Sequence, residues 1–186
     1  MKHADFEWLE ADGLGGFASH TSRGTRTRRY HALLLVARKP PTDRRVLVNG
    51  VDVVVEIGNE KLALTSQTYK PTLEGDKPVI RHEGRPLKSK FDDSLWPLWT
   101  YELGDGRRIE HAVMVPRGRP LVVLSWRLVS PEAGSCAKLT VRPFLSGRDY
   151  HALHRENPDF NFRPETDDGK GRLVFRTYES EPAVVA

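Results

Sequence analysis

Short runs of apolar residues, most of them alternating with polar residues at period two, dominate this chain of 186 residues. Examples of such runs are Val51–Ile57, Arg108–Val115 and Leu121–Val129. Tyr30–Ala37 is instead a short, continuous apolar run bounded by polar residues, which is typical of a buried strand. Because successive side chains of a β-strand point to opposite faces, this period predicts strands. No segment carries an apolar stripe at helical spacing over three turns. The sequence therefore predicts an all-β fold, an antiparallel β-sandwich built from consecutive hairpins.

Two turn signals divide these runs into hairpins. Asn49-Gly50 lies between two β-rich runs, and both residues tolerate the positive φ of a type I′ turn. Gly104-Asp105-Gly106 follows the run Trp99–Leu103 and precedes another alternating run. We therefore predict one hairpin around Asn49-Gly50 and a second around Gly104–Gly106.

Two stretches carry prolines, charges and turn residues in place of alternation, namely Lys70–Asp93 and Arg148–Gly171. We expect both to be long surface loops, which are uncommon on a sandwich and often carry function. The last residues, Glu181–Ala186, are largely apolar and form no turn or polar tail, so we expect the sandwich to be truncated at its C-terminus. A single domain over residues 1–186 accounts for the length.

Composition argues against several classes of protein. Hydrophobic residues make up 38% and charged residues 29% of the chain, which is typical of a soluble globular domain. No apolar run approaches the ~20 residues that span a bilayer, and no apolar signal segment follows Met1. With Cys136 as the only cysteine, we expect no disulfide, no metal, no cofactor and a cytoplasmic location. The net charge of +4, with arginines spread along the chain, does not favour a nucleic-acid partner.

Gly13, Gly15 and Gly16 form a glycine cluster near the N-terminus. Their spacing is not the dinucleotide-binding fingerprint, because the third glycine spacing and the strand-to-helix context are missing. Glycine permits tight turns and close approach of another backbone. The cluster is therefore either a sharp connection between strands or a loop whose exposed amides line a site.

Two four-residue segments combine arginine with a Tyr-His pair. They consist of Arg28, Arg29, Tyr30 and His31, and of Arg148, Asp149, Tyr150 and His151. If the first segment enters a strand, alternation places Arg28 and Tyr30 on one face and its other two residues on the opposite face. The first segment then either contacts a hydroxylated ligand or buries an arginine against backbone carbonyls at a domain interface. In the second, an ion pair between Arg148 and Asp149 would fix the loop.

Trp96 and Trp99 lie three residues apart, beside Asp92 and Asp93. Sugars stack on aromatic rings and hydrogen bond to carboxylates, so this group is a candidate sugar platform. The alternative is that both tryptophans belong to the core and fasten a loop to the sheet.

The sequence assigns no catalytic residue. Glycoside hydrolysis needs two carboxylates ~5 Å or ~6.5–9.5 Å apart, and no such pair stands out. The spacing of Asp149, His151 and His154 matches no closed metal site, and no Gly-x-Ser-x-Gly segment supports a serine nucleophile.

Five blocks follow one another between residue 7 and about residue 160: Glu7-Trp-Leu, Gly13-Leu-Gly-Gly-Phe-Ala-Ser-His-Thr, Thr27-Arg-Arg-Tyr-His-Ala-Leu-Leu, Trp96-Pro-Leu-Trp-Thr-Tyr and Arg142-Pro-Phe-Leu-Ser-Gly-Arg-Asp-Tyr-His. Taken together, in content and order, they resemble the N-terminal domain of bacterial and archaeal glycogen debranching enzymes. The chain departs from that family at His20 and Ala32, where the family usually has glycine.

This resemblance implies a β-supersandwich of the galactose-mutarotase-like kind, followed by an α/α-toroid domain that cleaves α-1,6 branch linkages in glycogen. It implies that the catalytic carboxylates lie outside residues 1–186, which would form a non-catalytic, glycan-associated domain. The implied partners are the toroid of the same polypeptide and glycogen or another α-glucan. We expect the glycine cluster, Arg28–His31 and Arg148–His151 to converge on the interface with the toroid.

Two other functions stay open at this point. A stand-alone carbohydrate-binding β-sandwich would use the same aromatic residues without an attached hydrolase. A nucleic-acid-binding β-domain would need clustered surface arginines and an affinity that falls steeply with salt. Glucan binding without salt dependence would exclude the nucleic-acid function.

Overall fold

The structure, a computed structural model, describes residues 6–69, 79–104, 106–130, 134–153, 155, 157–167 and 169–186. These residues form strands, turns and loops and contain no helix. The strands are β1 Glu7–Ala11, β2 Phe17–Thr21, β3 Ala32–Lys39, β4 Thr42–Ile57, β5 Glu60–Ala63, β6 Gln67–Tyr69, β7 Val79–Arg81, β8 Arg85–Pro86, β9 Ser89–Asp92, β10 Leu98–Glu102, β11 Arg108–Met114, β12 Val123–Val129, β13 Lys138–Asp149, β14 Glu165–Asp167, β15 Arg172–Phe175 and β16 Val184–Val185.

Two sheets contain most of these strands. The first has seven strands, in the order β1-β2-β3-β4-β5-β8 with β13 paired to β4 outside that path. The second has four strands, in the order β12-β11-β10-β9. Within these two sheets the described pairs are antiparallel apart from the short β5–β8 pair. Two small sheets, β14-β15-β16 and β6-β7, accompany them.

The hydrophobic core lies between the two large sheets. Its buried members from the first sheet include Trp8, Ala18, Leu33, Val48, Val53, Val55, Ile57 and Leu62, and those from the second are Trp99, Tyr101, Ile109 and Val113. The predicted alternation is visible in β11, where Ile109, His111 and Val113 are buried and the residues between them are partly exposed. Because each sheet turns one apolar face inward, the prediction of an antiparallel β-sandwich is confirmed.

A row of six aromatic rings, called here the ring row, crosses this core. Its members in spatial order are His31, His20, Trp8, Trp99, His111 and Trp126. Neighbouring ring centroids lie between 4.7 and 6.1 Å apart. Three of these contacts join residues that are directly opposite each other in the register of adjacent strands. The edge-to-face contact of 5.8 Å between Trp8 and Trp99 joins the two sheets.

The predicted hairpin at Asn49-Gly50 is wrong, because both residues lie inside the continuous strand β4. β13 follows β4 from Arg45 to Glu56, and the register shift between Phe144 and Leu145 leaves Asn49 without an opposite residue. Asn49 is therefore the extra residue of a bulge, a position that also tolerates turn-forming residues. The second predicted hairpin, between β10 and β11, is confirmed, although Asp105 lies outside the described residues.

The two stretches predicted as long loops contain several short strands. β7, β8 and β9 lie in the first stretch, of which residues 70–78 fall outside the described residues. In the second stretch, Arg148 and Asp149 end β13, and Glu165–Asp167 forms β14. The loop prediction was therefore too broad, since short strands rich in proline and charge show little hydrophobic alternation.

Candidate functional site

The segment Arg28–His31 forms a turn ahead of β3, which begins only at Ala32. The His31 amide donates to the carbonyl of Arg28 at 3.1 Å, so the alternation expected of a strand does not apply. Arg28 and His31 instead reach the same carboxylate, with Glu7 Oε1 lying 2.7 Å from Arg28 Nε and 3.5 Å from His31 Nε2. The turn therefore separates this pair from Arg29 and Tyr30.

Arg29 and Tyr30 meet Tyr150 and His151, and these four residues are called here the Tyr30 cluster. Arg29 Nη1 donates to the carbonyl of His151 at 3.1 Å, and the Tyr30 hydroxyl lies 3.4 Å from His151 Nδ1. The Tyr30 and Tyr150 ring centroids are 4.7 Å apart, as are those of Tyr150 and His151. Arg29 and His151 are exposed, and the two tyrosines are half-buried. Two segments about 120 residues apart in sequence thus form one surface group.

Arg148 holds the two segments together from below this surface. Its guanidinium donates to the carbonyl of Arg29 across the gap and, within its own segment, to the carbonyls of Tyr150 and Ala152 at 3.3 and 3.0 Å. Its Nε also lies 3.4 Å from Asn49 Oδ1 at the β4 bulge, and burial lowers the pKa of Arg148. For Arg28–His31, one of the two alternatives was an arginine buried against backbone carbonyls. In the structure it is Arg148, a partly buried residue of the other segment, that binds backbone carbonyls.

Asp149 does not form the expected side-chain ion pair with Arg148. Its Oδ2 atom accepts from Arg45 Nη1 at 2.7 Å, and its Oδ1 atom accepts from the His151 amide at 2.9 Å. Arg45 approaches Glu181 as well, at 3.3 Å. The carboxylate therefore fixes the His151 backbone and connects the cluster to the charged network beside it.

The glycine cluster forms the turn between β1 and β2. Asp12 Oδ1 accepts from the amides of Leu14 and Gly16 at 2.7 and 2.9 Å, so these amides are satisfied within the turn. A Cβ on Gly15, whose φ is +104°, would lie 2.6 Å from the carbonyl oxygen of Pro41. These contacts are those of a sharp strand connection. Among the described contacts, this turn reaches the Tyr30 cluster only through the next residue, Phe17, whose ring centroid lies 6.0 Å from that of Tyr150.

The sugar platform of two tryptophans is not assembled. Trp99 is 4% exposed, belongs to the ring row, and donates from Nε1 to the carbonyl of Ser22 at 2.5 Å. Trp96 is 42% exposed and lies in the turn before β10. Because β10 directs Trp99 into the core, the two rings cannot form one surface. Trp99 is therefore a core residue, as the alternative interpretation expected, whereas Trp96 is not.

Three buried histidines have pKa values lowered by burial. The pKa falls to about 4 for His20 and His111, and it is also lowered for His31, where burial outweighs the opposing effect of Glu7. His20 Nε2 donates to the carbonyl of Asn49 at 2.9 Å, and His111 Nδ1 donates to that of Ser125 at 3.1 Å. These rings are therefore neutral near pH 7 and serve packing rather than proton transfer.

A cleft of about 930 Å³ opens at the edge of the sandwich. Its lining includes Phe6, Ser22, Lys88, Lys90 and Phe91. Phe6 is 63% exposed, and its backbone pairs with Ser22, whose amide donates to the Phe6 carbonyl at 2.7 Å. The lining combines aromatic rings, hydroxyls and ammonium groups, and it includes none of the site residues predicted from the sequence.

The sequence reasoning missed Glu7, Asn49 and Arg45 as partners of the predicted segments. Glu7 stands in one of the five resemblance blocks, which was the available signal for it. Asn49 was interpreted as a turn residue, and nothing in the pattern around Arg45 indicated its contact with Asp149. Among the described residues, no three His, Cys, Asp or Glu side chains are grouped so as to hold a metal ion. His154 lies outside the described residues, and within them no helix is long and apolar enough to cross a membrane.

Comparison with protein families gives one result. The family described as glycogen debranching enzyme N terminal matches residues 7–186. Searches of curated proteins and of solved structures found no match. The family match covers every predicted site residue, including the whole Tyr30 cluster.

Proposed function

Since this chain belongs to the family of glycogen debranching enzyme N-terminal domains, we propose that it is a non-catalytic domain that supports an α/α-toroid catalytic domain. The Tyr30 cluster is the proposed docking surface, and glycogen or another α-glucan is the proposed ligand of the assembled enzyme, which would act in the cytoplasm. The observation that carries this proposal is the joining of Arg29–Tyr30 to Tyr150–His151 on one exposed surface.

The cluster has the composition of a recognition surface. Tyrosine and arginine are enriched where proteins bind one another, because each supplies a large apolar area together with hydrogen-bonding groups. Leu153, directly beyond the cluster, is 68% exposed and would add apolar contact. A partner that covers these residues would therefore find aromatic, cationic and aliphatic groups side by side.

The cluster is also held in place before any partner binds. Arg148 joins both segments through backbone carbonyls, and Asp149 fixes the His151 amide. A surface that is already ordered loses less conformational entropy on association. This order favours docking onto a fixed partner over recognition by a flexible loop.

The carboxylates nearest the cluster support a non-catalytic role. Glu7 is bound to Arg28 at 2.7 Å, and Asp149 is bound to Arg45 at 2.7 Å. Glycosidases need one carboxyl group as a proton donor and a second as base or nucleophile. Both carboxylates at this surface already have structural partners, so the bond-breaking pair is proposed to lie in the toroid.

Glucan contact is proposed for the cleft that contains Phe6 and Phe91. Aromatic rings stack on the apolar faces of sugars, and serine hydroxyls and lysine ammonium groups hydrogen bond to sugar hydroxyls. The cleft volume of about 930 Å³ is at the upper end of ligand pockets, which span ~300–1,000 Å³. An oligosaccharide is therefore a better fit to it than a single sugar.

The docking arm of the test measures the affinity of this chain for the separately produced toroid of its parent enzyme by isothermal titration calorimetry. We expect His151→Ala and Leu153→Asp each to weaken binding about tenfold or more, as for residues at the centre of an interface. Phe162→Ala is the matched control, because Phe162 is 75% exposed and lies outside the cluster. Equal affinities for all three variants and the unchanged chain would refute the docking surface.

The glucan arm uses maltooligosaccharides and branched dextrin. We expect the chain alone to release no glucose from branch points, and we expect Phe6→Ala to weaken maltooligosaccharide binding. Debranching by residues 1–186 alone would overturn the non-catalytic role. Glucan binding without any affinity for the toroid would instead favour a stand-alone carbohydrate-binding protein. Affinity for nucleic acid that falls steeply with salt would favour a nucleic-acid-binding β-domain.

A further inference from the structure

Strand β12 is an unusually complete edge of the second sheet. All seven of its residues pair with β11 in one continuous register, from Val129 opposite Arg108 to Val123 opposite Met114. In the described part of the chain, no strand pairs with its other side. Val123, Ser125 and Arg127 are exposed, and the residues between them are partly buried against the core. The outer side of β12 therefore presents a straight row of backbone donors and acceptors.

The other described edges of the two large sheets carry features that prevent further pairing. Such features are charges, prolines, bulges and short length. β1 contains two glutamates, β9 contains Lys90 and Asp92, β8 is the dipeptide Arg85-Pro86, and β13 contains Pro143 and two register shifts. β12 has neither a bulge nor a proline, and Arg127 is its only charged residue. That charge is already bound by Glu110, at 2.6 Å from Arg127 Nη2.

The sequence of β12 reads almost the same in both directions. From Val123 to Val129 it is Val-Leu-Ser-Trp-Arg-Leu-Val. In an antiparallel pair of identical strands centred on Trp126, Val123 lies opposite Val129 and Leu124 lies opposite Leu128. The one unlike pair is Ser125 with Arg127, in which the hydroxyl can accept from the guanidinium. The strand is therefore complementary to a second copy of itself.

We propose that two copies of this chain associate through β12, with the two-fold axis at Trp126, to form one eight-stranded antiparallel sheet. The contact is isologous, since the same residues serve both copies, and it closes without further growth. A seven-residue antiparallel pair adds about six to eight backbone hydrogen bonds. Leu124 of one copy and Leu128 of the other extend the apolar inner face. This interface does not use the Tyr30 cluster and stands independently of the proposed function.

The register makes a prediction that depends on charge sign. In the dimer each Ser125 faces Arg127 of the other copy, so Ser125→Glu creates two attractive pairs and Ser125→Lys creates two repulsive ones. Directly opposed charged pairs contribute roughly 0.2–1 kcal/mol each. We therefore expect the dimer dissociation constant to fall about tenfold in Ser125→Glu and to rise about tenfold in Ser125→Lys.

The measurement is sedimentation equilibrium of the whole 186-residue chain over a wide concentration range. Thr166→Glu and Thr166→Lys are matched controls, because Thr166 is an exposed residue of β14, and they should leave the dissociation constant unchanged. Lysine is common on natural edge strands, where it discourages pairing with another strand. Val123→Lys should therefore also weaken the dimer. Near-ultraviolet circular dichroism establishes that each variant is folded.

Two results would overturn the proposal. One is a chain that stays monomeric at every concentration, as expected if another polypeptide covers β12. The other is a dimer in which Ser125→Glu and Ser125→Lys shift the dissociation constant in the same direction or not at all. Opposite shifts at Ser125, together with weakening by Val123→Lys, would support it.

Discussion

Acid should destabilise this domain well above the pH at which its carboxylates are protonated. His20 and His111 lie in the ring row, and burial lowers the pKa of each from 6.5 to about 4. In the unfolded chain each of these two histidines binds a proton below about pH 6.5, whereas in the folded chain both rings stay neutral until about pH 4. The free energy of unfolding therefore falls as the pH is lowered through this interval, and the loss is complete near the folded pKa.

The magnitude follows from the two pKa values. Between about pH 7.5 and pH 5, each histidine contributes a loss of about 2 kcal/mol, so the pair contributes about 4 kcal/mol. This is a large part of the ~5–15 kcal/mol that stabilises a typical domain. His31, whose pKa burial also lowers, acts in the same direction. Carboxylates such as Glu110, whose pKa Arg108 and Arg127 hold below 4.5, lose their contribution only at lower pH.

The assay is urea denaturation at a series of pH values, followed by tryptophan fluorescence. His111→Phe retains a ring between Trp99 and Trp126 but cannot titrate, so its free energy of unfolding should fall by about 2 kcal/mol less than that of the unchanged chain between about pH 7.5 and pH 5. His82→Gln is the control, since His82 is exposed, and it should leave the steep dependence intact. A free energy of unfolding that stays constant between about pH 7.5 and pH 5, or an unchanged slope in His111→Phe, would refute the reasoning.

Two glycine substitutions test close contacts of β4 with the ring row and of β13 with Tyr178. A Cβ on Gly50 would lie 3.1 Å from His20 Cε1, so Gly50→Ala should lower the free energy of unfolding, measured by urea denaturation, by about 1–2 kcal/mol. In a His20→Gly background the same substitution should have no such effect. Additive effects of the two substitutions would contradict the contact. Gly147 has a φ of +150°, and its Cβ would lie 2.6 Å from Tyr178 Cδ2. Gly147→Ala should therefore lower the free energy of unfolding by about 2–3 kcal/mol. Gly171→Ala is the control, because its φ is +61° and nothing lies within 4 Å of its Cβ, and it should lower the free energy of unfolding by about 1 kcal/mol. Equal losses in the two variants would contradict this account.

The class of fold was predictable because strand alternation is a local signal. β10, β11 and β12 follow from runs of alternating residues that are visible in the sequence alone. Asn49-Gly50 shows the limit of local reasoning, because the same dipeptide suits a turn or a bulge. Pairing with β13, about 90 residues later, decides between them, and no local pattern reports that pairing.

The two segments of the candidate site were visible in the sequence, but the contacts between them were not. The sequence identified Arg28–His31 and Arg148–His151, and the structure brings them together through Tyr30 and His151. The sequence could not show that Arg148 binds backbone carbonyls, because every residue has a carbonyl and no residue type marks the one that is bound. Trp99 illustrates the same limit, since only the register of β10 and β11 shows that its ring is stacked against His111.

The ring row makes the candidate surface depend on the core. His31 Nδ1 accepts from the amide of Thr27 at 3.1 Å, which fixes the start of the turn that presents Arg29 and Tyr30. The same ring stacks on His20, whose space exists because Gly50 has no side chain. In this chain the rings of His20 and His31 therefore support the turn from the core. The shape of the surface is therefore determined by buried residues as much as by the exposed ones, and changes in the ring row should reach the surface through His31.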